Sequence, residues 1–306
     1  MRASLAWGDG LPPFALGGQA ATHPIKDTTR MTDSETTPAA EGSPGYLHGY
    51  ATREQERLVA QAEFWREQVI TDTSTRLAPG TRLLDVGVGV GAVLAILGEA
   101  FPRTQLAGVD ISPEQIAFAR THLASRDVTA SLTVADATAL PYPDDSFDHV
   151  WMMWFLEHLA DPVAALREAR RVLAPGGAIT AIEADYSTAR AQPWSPEVEA
   201  LLDALRQGMD ATGRSDAGTH VARWLAEAGF TSITPGERFC AYDGDDADVA
   251  ANYVAAVAED LVPTLAALPG TASEAELWTG LRKLRALGEQ PGAHIEWLLH
   301  KAQARA

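Results

Sequence analysis

The residues with chemistry to offer are glycines and acids set at regular intervals. In Leu83 to Val93, LLDVGVGVGAV, an apolar run ends in Asp85 and passes into Gly87, Gly89 and Gly91. Glycines at that junction let backbone come close to a ligand at a helix N-terminus. A dinucleotide fingerprint spaces its glycines G-x-G-x-x-G to receive a pyrophosphate. Here the spacing is G-x-G-x-G with a carboxylate just before it, which suits a ligand carrying an amino group rather than a diphosphate.

Two further acids follow in series. GVDIS puts Asp110 at the end of the next apolar run, with Ile111 after it, where a carboxylate can accept both hydroxyls of a ribose. VADATALPYPDDSFD puts Asp136 at the end of a third, where a carboxylate can accept from an exocyclic adenine amine while the backbone of Ala137 meets a ring nitrogen. Any one of these aspartates could be a cap or a surface residue. Three at successive strand ends point to one nucleoside pocket.

The elements that must position these residues alternate. Strands are predicted near Arg82 to Val86, Gln105 to Asp110, Leu132 to Val134 and His149 to Trp154, and over Ala178 to Ala184. Between them fall helices from Gly91 to Ala100, from Pro113 to about Ser125 with Ser112 as N-cap and Gln115 closing the box, and from Pro162 to Leu173 capped by Asp161. Alternation at this interval means right-handed crossovers, a parallel sheet and ligands at the carboxyl ends of the strands. The fold class is α/β, a doubly wound, seven-stranded, mostly parallel sheet with an N-terminal helical lid and C-terminal helical insertions.

Outside this core, residues 1–45 show neither helical nor strand periodicity and read as a mobile arm, in which Met31 could mark an alternative start. Residues 46–78 read as the lid. Within it, Thr52 and Gln55 suggest a capping box before a helix from about Arg53 to Val69. Residues 79–186 form the cofactor-binding core, and residues 187–306 the rest of the sheet with helices that cover the substrate. Those helices are predicted at Pro196 to Met209, His220 to Ala228, Ala247 to Ala267 and Ser273 to Leu287, with a strand near Thr231 to Phe239. His294 to Lys301 reads as a final strand, a helix being the competing reading.

Composition removes several function classes. Of 306 residues, 24 are basic and 41 acidic, a formal net charge of −17 that repels polyanions, so nucleic acid and anionic membrane surfaces are not expected partners. A single cysteine, Cys240, permits no internal disulfide or zinc cluster, no metal site is expected, and no apolar run reaches membrane-spanning length. The expectation is a soluble cytoplasmic protein with a small-molecule partner, homodimer or higher homo-oligomer being left open.

With these motifs, Thr81 to Tyr186 resembles the class I S-adenosylmethionine-dependent methyltransferases, specifically the small-molecule branch that includes ubiquinone and menaquinone biosynthesis enzymes. The resemblance implies S-adenosyl-L-methionine as cofactor. It sets Gly87 and Gly89 against that cofactor, Asp85 near its amino group, Asp110 at the ribose, Ile111 among the cofactor-binding residues, Asp136 and Ala137 at the adenine, and Trp154 beside the sulfonium. Val88 and Val90 depart from the small or polar residues usual there. Tyr46 to Leu58, YLHGYATREQERL, resembles an arm of bacterial natural-product methyltransferases, some of which methylate indoles or nitrogen heterocycles. That likeness implies a lid bringing Tyr46 to the cofactor, Tyr50 to the substrate and His48 to the site.

Methyl transfer needs alignment, exclusion of water and, where a proton leaves, a base worth about 10²–10⁴-fold. The candidates are His48, His158, Glu183 and Asp185, with Glu157 adding negative potential; Tyr186 and Trp194 are candidate substrate walls. The competing functions are a nicotinamide oxidoreductase, which the glycine spacing and Asp136 oppose, and a non-catalytic module that binds the nucleoside without turnover.

Overall fold

The computed structural model describes residues 52–74 and 77–306. Its core is a seven-stranded sheet of order β3-β2-β1-β4-β5-β7-β6. The parallel strands are β1 (Arg82–Val86), β2 (Gln105–Asp110), β3 (Ala130–Val134), β4 (Phe147–Met153) and β5 (Leu173–Gln192). The last strand in sequence, β7 (His294–Arg305), runs antiparallel between β5 and β6 (Thr231–Asp243). The final segment is therefore a strand. The strand order reverses at β1/β4, and an open parallel sheet holds its ligand crevice at such a switch point, beyond the carboxyl ends.

The crossover helices form for local reasons. α3 (Ala92–Ala100) starts at Gly91 and α4 (Pro113–Ser125) at Ser112, whose hydroxyl accepts from the Gln115 N–H. The second half of that capping box is replaced. Ser112 gives its own N–H to Asp110 at 2.9 Å, and the Gln115 side chain accepts instead from Gln55. α5 (Pro162–Val172) is capped by Asp161, which accepts from the Ala164 N–H at 3.0 Å.

The N-terminal helix is broken in two, α1 (Thr52–Phe64) and α2 (Arg66–Ser74), at Trp65, whose indole is buried with Ala62 and Val69. The later helices are α6 (Pro196–Thr212), α7 (Ala217–Glu227), α8 (Gly244–Glu259), α9 (Val262–Ala266) and α10 (Glu274–Arg285). Each sheet face carries its own apolar core. α1, α2, α3, α6, α8 and α10 contribute to one, and α5 and α7 to the other. No helix among the described residues is long and apolar enough to cross a membrane.

Candidate functional site

The turn after β1 is built by three left-handed glycines, at φ 78° for Gly87, 49° for Gly89 and 73° for Gly91. The N–H groups of Gly87 and Val88 both donate to the Val109 carbonyl at 2.9 Å, locking the turn to β2. A methyl on Gly91 would lie 3.0 Å from the Ala119 methyl, so this glycine packs α3 on α4. A methyl on Gly89 would meet nothing within 4 Å among the described residues, so this side of the turn is open there. One on Gly87 would fall 2.2 Å from Cδ2 of Phe155, whose ring covers the turn. Val88 and Val90 are buried, and Val88 rests on Gly108, where a methyl would stand 2.8 Å from its Cγ2. The two departures from the family pattern thus serve packing.

Asp110 ends β2, Asp85 stands one residue before the end of β1, and Asp136 lies two residues past the end of β3. Asp85 is buried, and burial followed by the neighbouring Asp110 charge pushes its pKa up to about 8. Asp110 accepts from the N–H of Gly89 and of Ser112, both at 2.9 Å, one on each oxygen. A carboxylate has about four lone-pair sites, and with three backbone N–H groups on it about one remains for a ligand. Burial raises the Asp110 pKa, and the N–H groups of Ser112, Gly89 and Ile111 work against that rise. Ile111 is 55% exposed, an apolar side chain left open beside Asp110. Asp136 is exposed and its Oδ1 accepts from the N–H and hydroxyl of Thr138 at 2.8 Å, while Ala137 next to it is buried.

On the other side of Gly87, the chain leaves β4 through Trp154, which adopts φ 49°, and a 3₁₀ turn over Leu156–His158. Glu183, on β5 and 0% exposed, accepts from the N–H groups of Phe155 at 3.0 Å and Leu156 at 2.8 Å. Burial pushes its pKa up to about 7. Glu157, 2% exposed, accepts from the Tyr186 hydroxyl at 3.2 Å, and burial with the Glu183 charge holds its pKa well above the usual range. The Tyr186 hydroxyl is likewise raised, by burial and then Glu157. His158 has Nε2 3.6 Å from Glu157, and burial lowers its pKa to about 4, leaving it neutral at physiological pH. Asp185 accepts from the N–H and hydroxyl of Ser187.

Asp85, Gly87, Gly89, Asp110, Ile111, Asp136 and Ala137 therefore lie at or beside the carboxyl ends of β1 to β3, and Trp154 and His158 follow β4. Glu183, Asp185 and Tyr186 do not end their strand as expected: they sit within β5, just past its pairing with β4 at Ile182, because the strand continues to Gln192 along β7. Trp194 stands apart at the start of α6, 63% exposed and without a ring contact among the described residues. Tyr46, His48 and Tyr50 lie outside the described residues. Two partners of Trp154 and Gly87 went unread in the sequence. Trp65 stands 5.6 Å from Trp154 between ring centroids and joins it to Tyr253 and Trp297, and Phe155 covers Gly87. Nothing local announces contacts between residues so far apart in the chain.

The sheet order with its reversed penultimate strand, and the glycine turn at the switch point, define the Rossmann-like fold of methyltransferases. Residues 84–181 match the family model described as a methyltransferase domain. The chain is 33% identical over 163 residues to the 2-methyl-6-phytyl-1,4-hydroquinone methyltransferase of Synechocystis, covering 48% of this chain and 51% of that one. It is 37% identical over 119 residues to the demethylmenaquinone methyltransferase of Thermus thermophilus, covering 39% and 53%. The chain thus spans about half the length of the curated relatives it matches. Among solved structures, the YcgJ protein of Bacillus subtilis superposes with a TM-score of 0.51 at 18% identity over 78% of this chain and 97% of its own. The phosphoethanolamine N-methyltransferase 2 of Haemonchus contortus, in complex with phosphomonomethylethanolamine and S-adenosylhomocysteine, gives 0.53 at 17% identity, over 85% and 60%.

The residues here fit S-adenosylmethionine, the cofactor that goes with such a domain. The open space at Gly89 admits close backbone approach, Asp110 keeps an unused acceptor site, and Asp85 can meet an ammonium group.

Proposed function

We propose that this chain is an S-adenosylmethionine-dependent methyltransferase of a small, flat aromatic or nitrogen-heterocyclic molecule. The observation that carries the reading is the row of Asp85, Asp110 and Asp136 at the ends of adjacent strands, with Gly89 open beside Asp110. Asp85 would face the cofactor's amino group, Asp110 its ribose, Ile111 the exposed face of its adenine, and Asp136 with the Ala137 backbone the adenine edge. Gly87 and Gly89 admit the backbone, Trp154 stands at the sulfonium, and Tyr46 belongs to the covering arm.

When bound, the cofactor supplies a methyl group on a positively charged sulfur. The chain aligns the acceptor in line with that carbon, excludes water and offers aromatic faces to the charge, each worth about 0.5–2 kcal/mol. Where the acceptor loses a proton, the neutral imidazole of His158 is one group that can accept it. His48 and Asp185 are the other proton acceptors, Glu183 acts nearby, and Tyr50, Tyr186 and Trp194 bound the substrate. An aromatic acceptor draws support from the quinol-ring substrates in the names of the relatives and from the Trp154–Trp65 group; the indole form draws it from the arm at Tyr46 to Leu58 alone.

The test is a calorimetric titration with S-adenosylhomocysteine and, separately, with NAD. Binding of the first alone is expected, and Asp110→Ala should weaken it by at least about tenfold, the loss of about one hydrogen bond to a charged group. Binding of NAD alone would sink the reading. Methyl-labelled cofactor offered with indoles, hydroquinones and amines then separates an enzyme from a sensor. Persistent lack of labelled product would leave a binding module.

A further inference from the structure

Trp154 is the first residue past β4, at the switch point of the sheet, and the ring of the next residue, Phe155, covers the glycine turn. Its backbone lies at φ 49°, a left-handed conformation that a bulky residue adopts only where its surroundings impose it. Hydrogen bonds account for the main chain. The Trp154 N–H donates to the Ile182 carbonyl at 3.0 Å, and the next two N–H groups donate to Glu183. None of these bonds fixes the side-chain torsions, so the direction of the indole must be set by what packs on it.

Trp65 packs on it. The two ring centroids are 5.6 Å apart and the planes tilted by 59°, within the range of attractive aromatic pairs. Phe64, Tyr253 of α8 and Trp297 of β7 each meet Trp65 edge-on, at 5.1, 6.1 and 6.1 Å, and hold it from the other sides. Trp65 is 1% exposed, whereas Trp154 is only half-buried. Trp154 is thus the layer that a ligand can touch, and Trp65 the layer behind it. The backbone bends to put Trp65 there: its N–H is shared between the carbonyls of Gln61 at 3.3 Å and Ala62 at 3.1 Å, a tightened turn between α1 and α2. Ion pairs pin both helices, Arg53 of α1 to Glu259 of α8 and Asp72 of α2 to Lys301 of β7.

We propose that Trp65 is a positioning residue of the methyl-transfer site, holding the Trp154 indole toward the sulfonium and so tying the N-terminal helices to the charge of the cofactor. The ring geometry stands by itself; the sulfonium rests on the function proposed above. An aromatic face attracts a positive sulfur, and the uncharged thioether left after transfer gains nothing from it. Trp65 therefore favours S-adenosylmethionine over S-adenosylhomocysteine by way of Trp154, from the layer behind.

The test is calorimetric titration of the full chain with S-adenosylmethionine and with S-adenosylhomocysteine, read as the ratio of the two dissociation constants. Trp154→Leu should lower the preference for the charged ligand by about threefold or more, the weaker end of a cation–π contact. Trp65→Leu should lower it by a similar factor, and the double variant by no more than Trp154→Leu alone, since both changes act on one ring. Trp65→Phe, which keeps a ring beside Trp154, should restore most of the preference. A merely structural role for Trp65 would weaken both ligands alike and leave the ratio where it was. An unchanged ratio in Trp65→Leu beside a lowered one in Trp154→Leu overturns the proposal and leaves the cofactor reading standing. So does a double variant whose loss is the product of the two single losses. An unchanged ratio in Trp154→Leu removes the sulfonium from that ring and the proposal with it, and a chain that binds neither ligand removes the cofactor reading as well. If Trp65→Leu fails to fold, Trp65→Met, which refills the space with a flexible apolar chain but no ring, takes its place under the same expectations.

Discussion

Asp85 carries a prediction that depends on nothing but its own environment. With its pKa at about 8 it is mostly protonated at neutral pH, because burial and the Asp110 charge disfavour the carboxylate. An ammonium group placed beside it reverses that preference, so ligand binding should release up to about one proton. Titrations of S-adenosylhomocysteine in buffers of different ionisation enthalpy read this directly, and Asp85→Asn should abolish the release. The glycines give a second contrast. Gly89→Ala adds a methyl that touches no atom of the described residues, so its stability cost is confined to backbone strain of about 1 kcal/mol at positive φ, yet it should weaken cofactor binding at least tenfold by filling the approach. Gly87→Ala drives a methyl into the Phe155 ring and should cost about 1–3 kcal/mol of stability as well. Thermal melts beside binding isotherms separate the two; equal melting temperatures for both variants would contradict the packing argument.

At the scale of elements, a buried ion pair ties α2 to β7. Lys301 Nζ bonds Asp72 Oδ1 at 2.7 Å, Arg238 from β6 approaches the same oxygen at 3.5 Å, and Gln303 donates to the Asp72 carbonyl. Asp72→Ala removes the acid from a cluster of basic groups and should cost about 3–5 kcal/mol, with Asp72→Asn milder. Chemical denaturation measures it, and a loss below about 1 kcal/mol would mean that the pair does not anchor the helix. These anchors also explain what the sequence let one read. The strands β1 to β4, α3 to α5 and the aspartates at or beside strand ends follow from short-range patterns: apolar runs, Gly91, Ser112 and Asp161 as helix starts. β5 does not, since it spans Leu173–Gln192 against the expected Ala178 to Ala184, its far end held by pairing with β7. The break of the first helix at Trp65 does not either, because its cause is an indole settling among Trp154, Tyr253 and Trp297, drawn from the turn after β4, from α8 and from β7. For the same reason β6 and β7 run on to Asp243 and Arg305, past the expected Phe239 and Lys301, since each extends by pairing with the other. Period and capping carry no information about such partners, and the closure of Phe155 on Gly87 was illegible on that account.

The described residues gather buried carboxyls with raised pKa values around the switch point of the sheet, and the stability of the molecule should register this. Asp85 rises from 3.8 to about 8 and Glu183 from 4.5 to about 7, both through burial, and Glu157 rises with them. A carboxyl whose folded pKa lies above its unfolded value binds more protons folded than unfolded, so its contribution is complete below the unfolded pKa and is lost as pH climbs through the folded one. His158 works oppositely. Lowered from 6.5 to about 4 by burial, it contributes above the unfolded value and loses that contribution as pH falls. Its window, about pH 4 to 6.5, overlaps those of two or more raised carboxyls, which outweigh it. Exposed acids held low by arginine or lysine partners, such as Glu63 and Glu168, strengthen the fold only up to the ordinary carboxylate range, and solvent screens them. The net charge of −17 adds repulsion in the same direction as the buried acids. The melting temperature should therefore peak on the acid side of neutrality and fall by at least about 5 °C between about pH 5 and about pH 8. Calorimetric scans across that range should show the fall flattened in Asp85→Asn and in Glu157→Gln and most in the double variant. A wild-type profile that climbs toward pH 8 would mean that these acids are ionised in the folded chain.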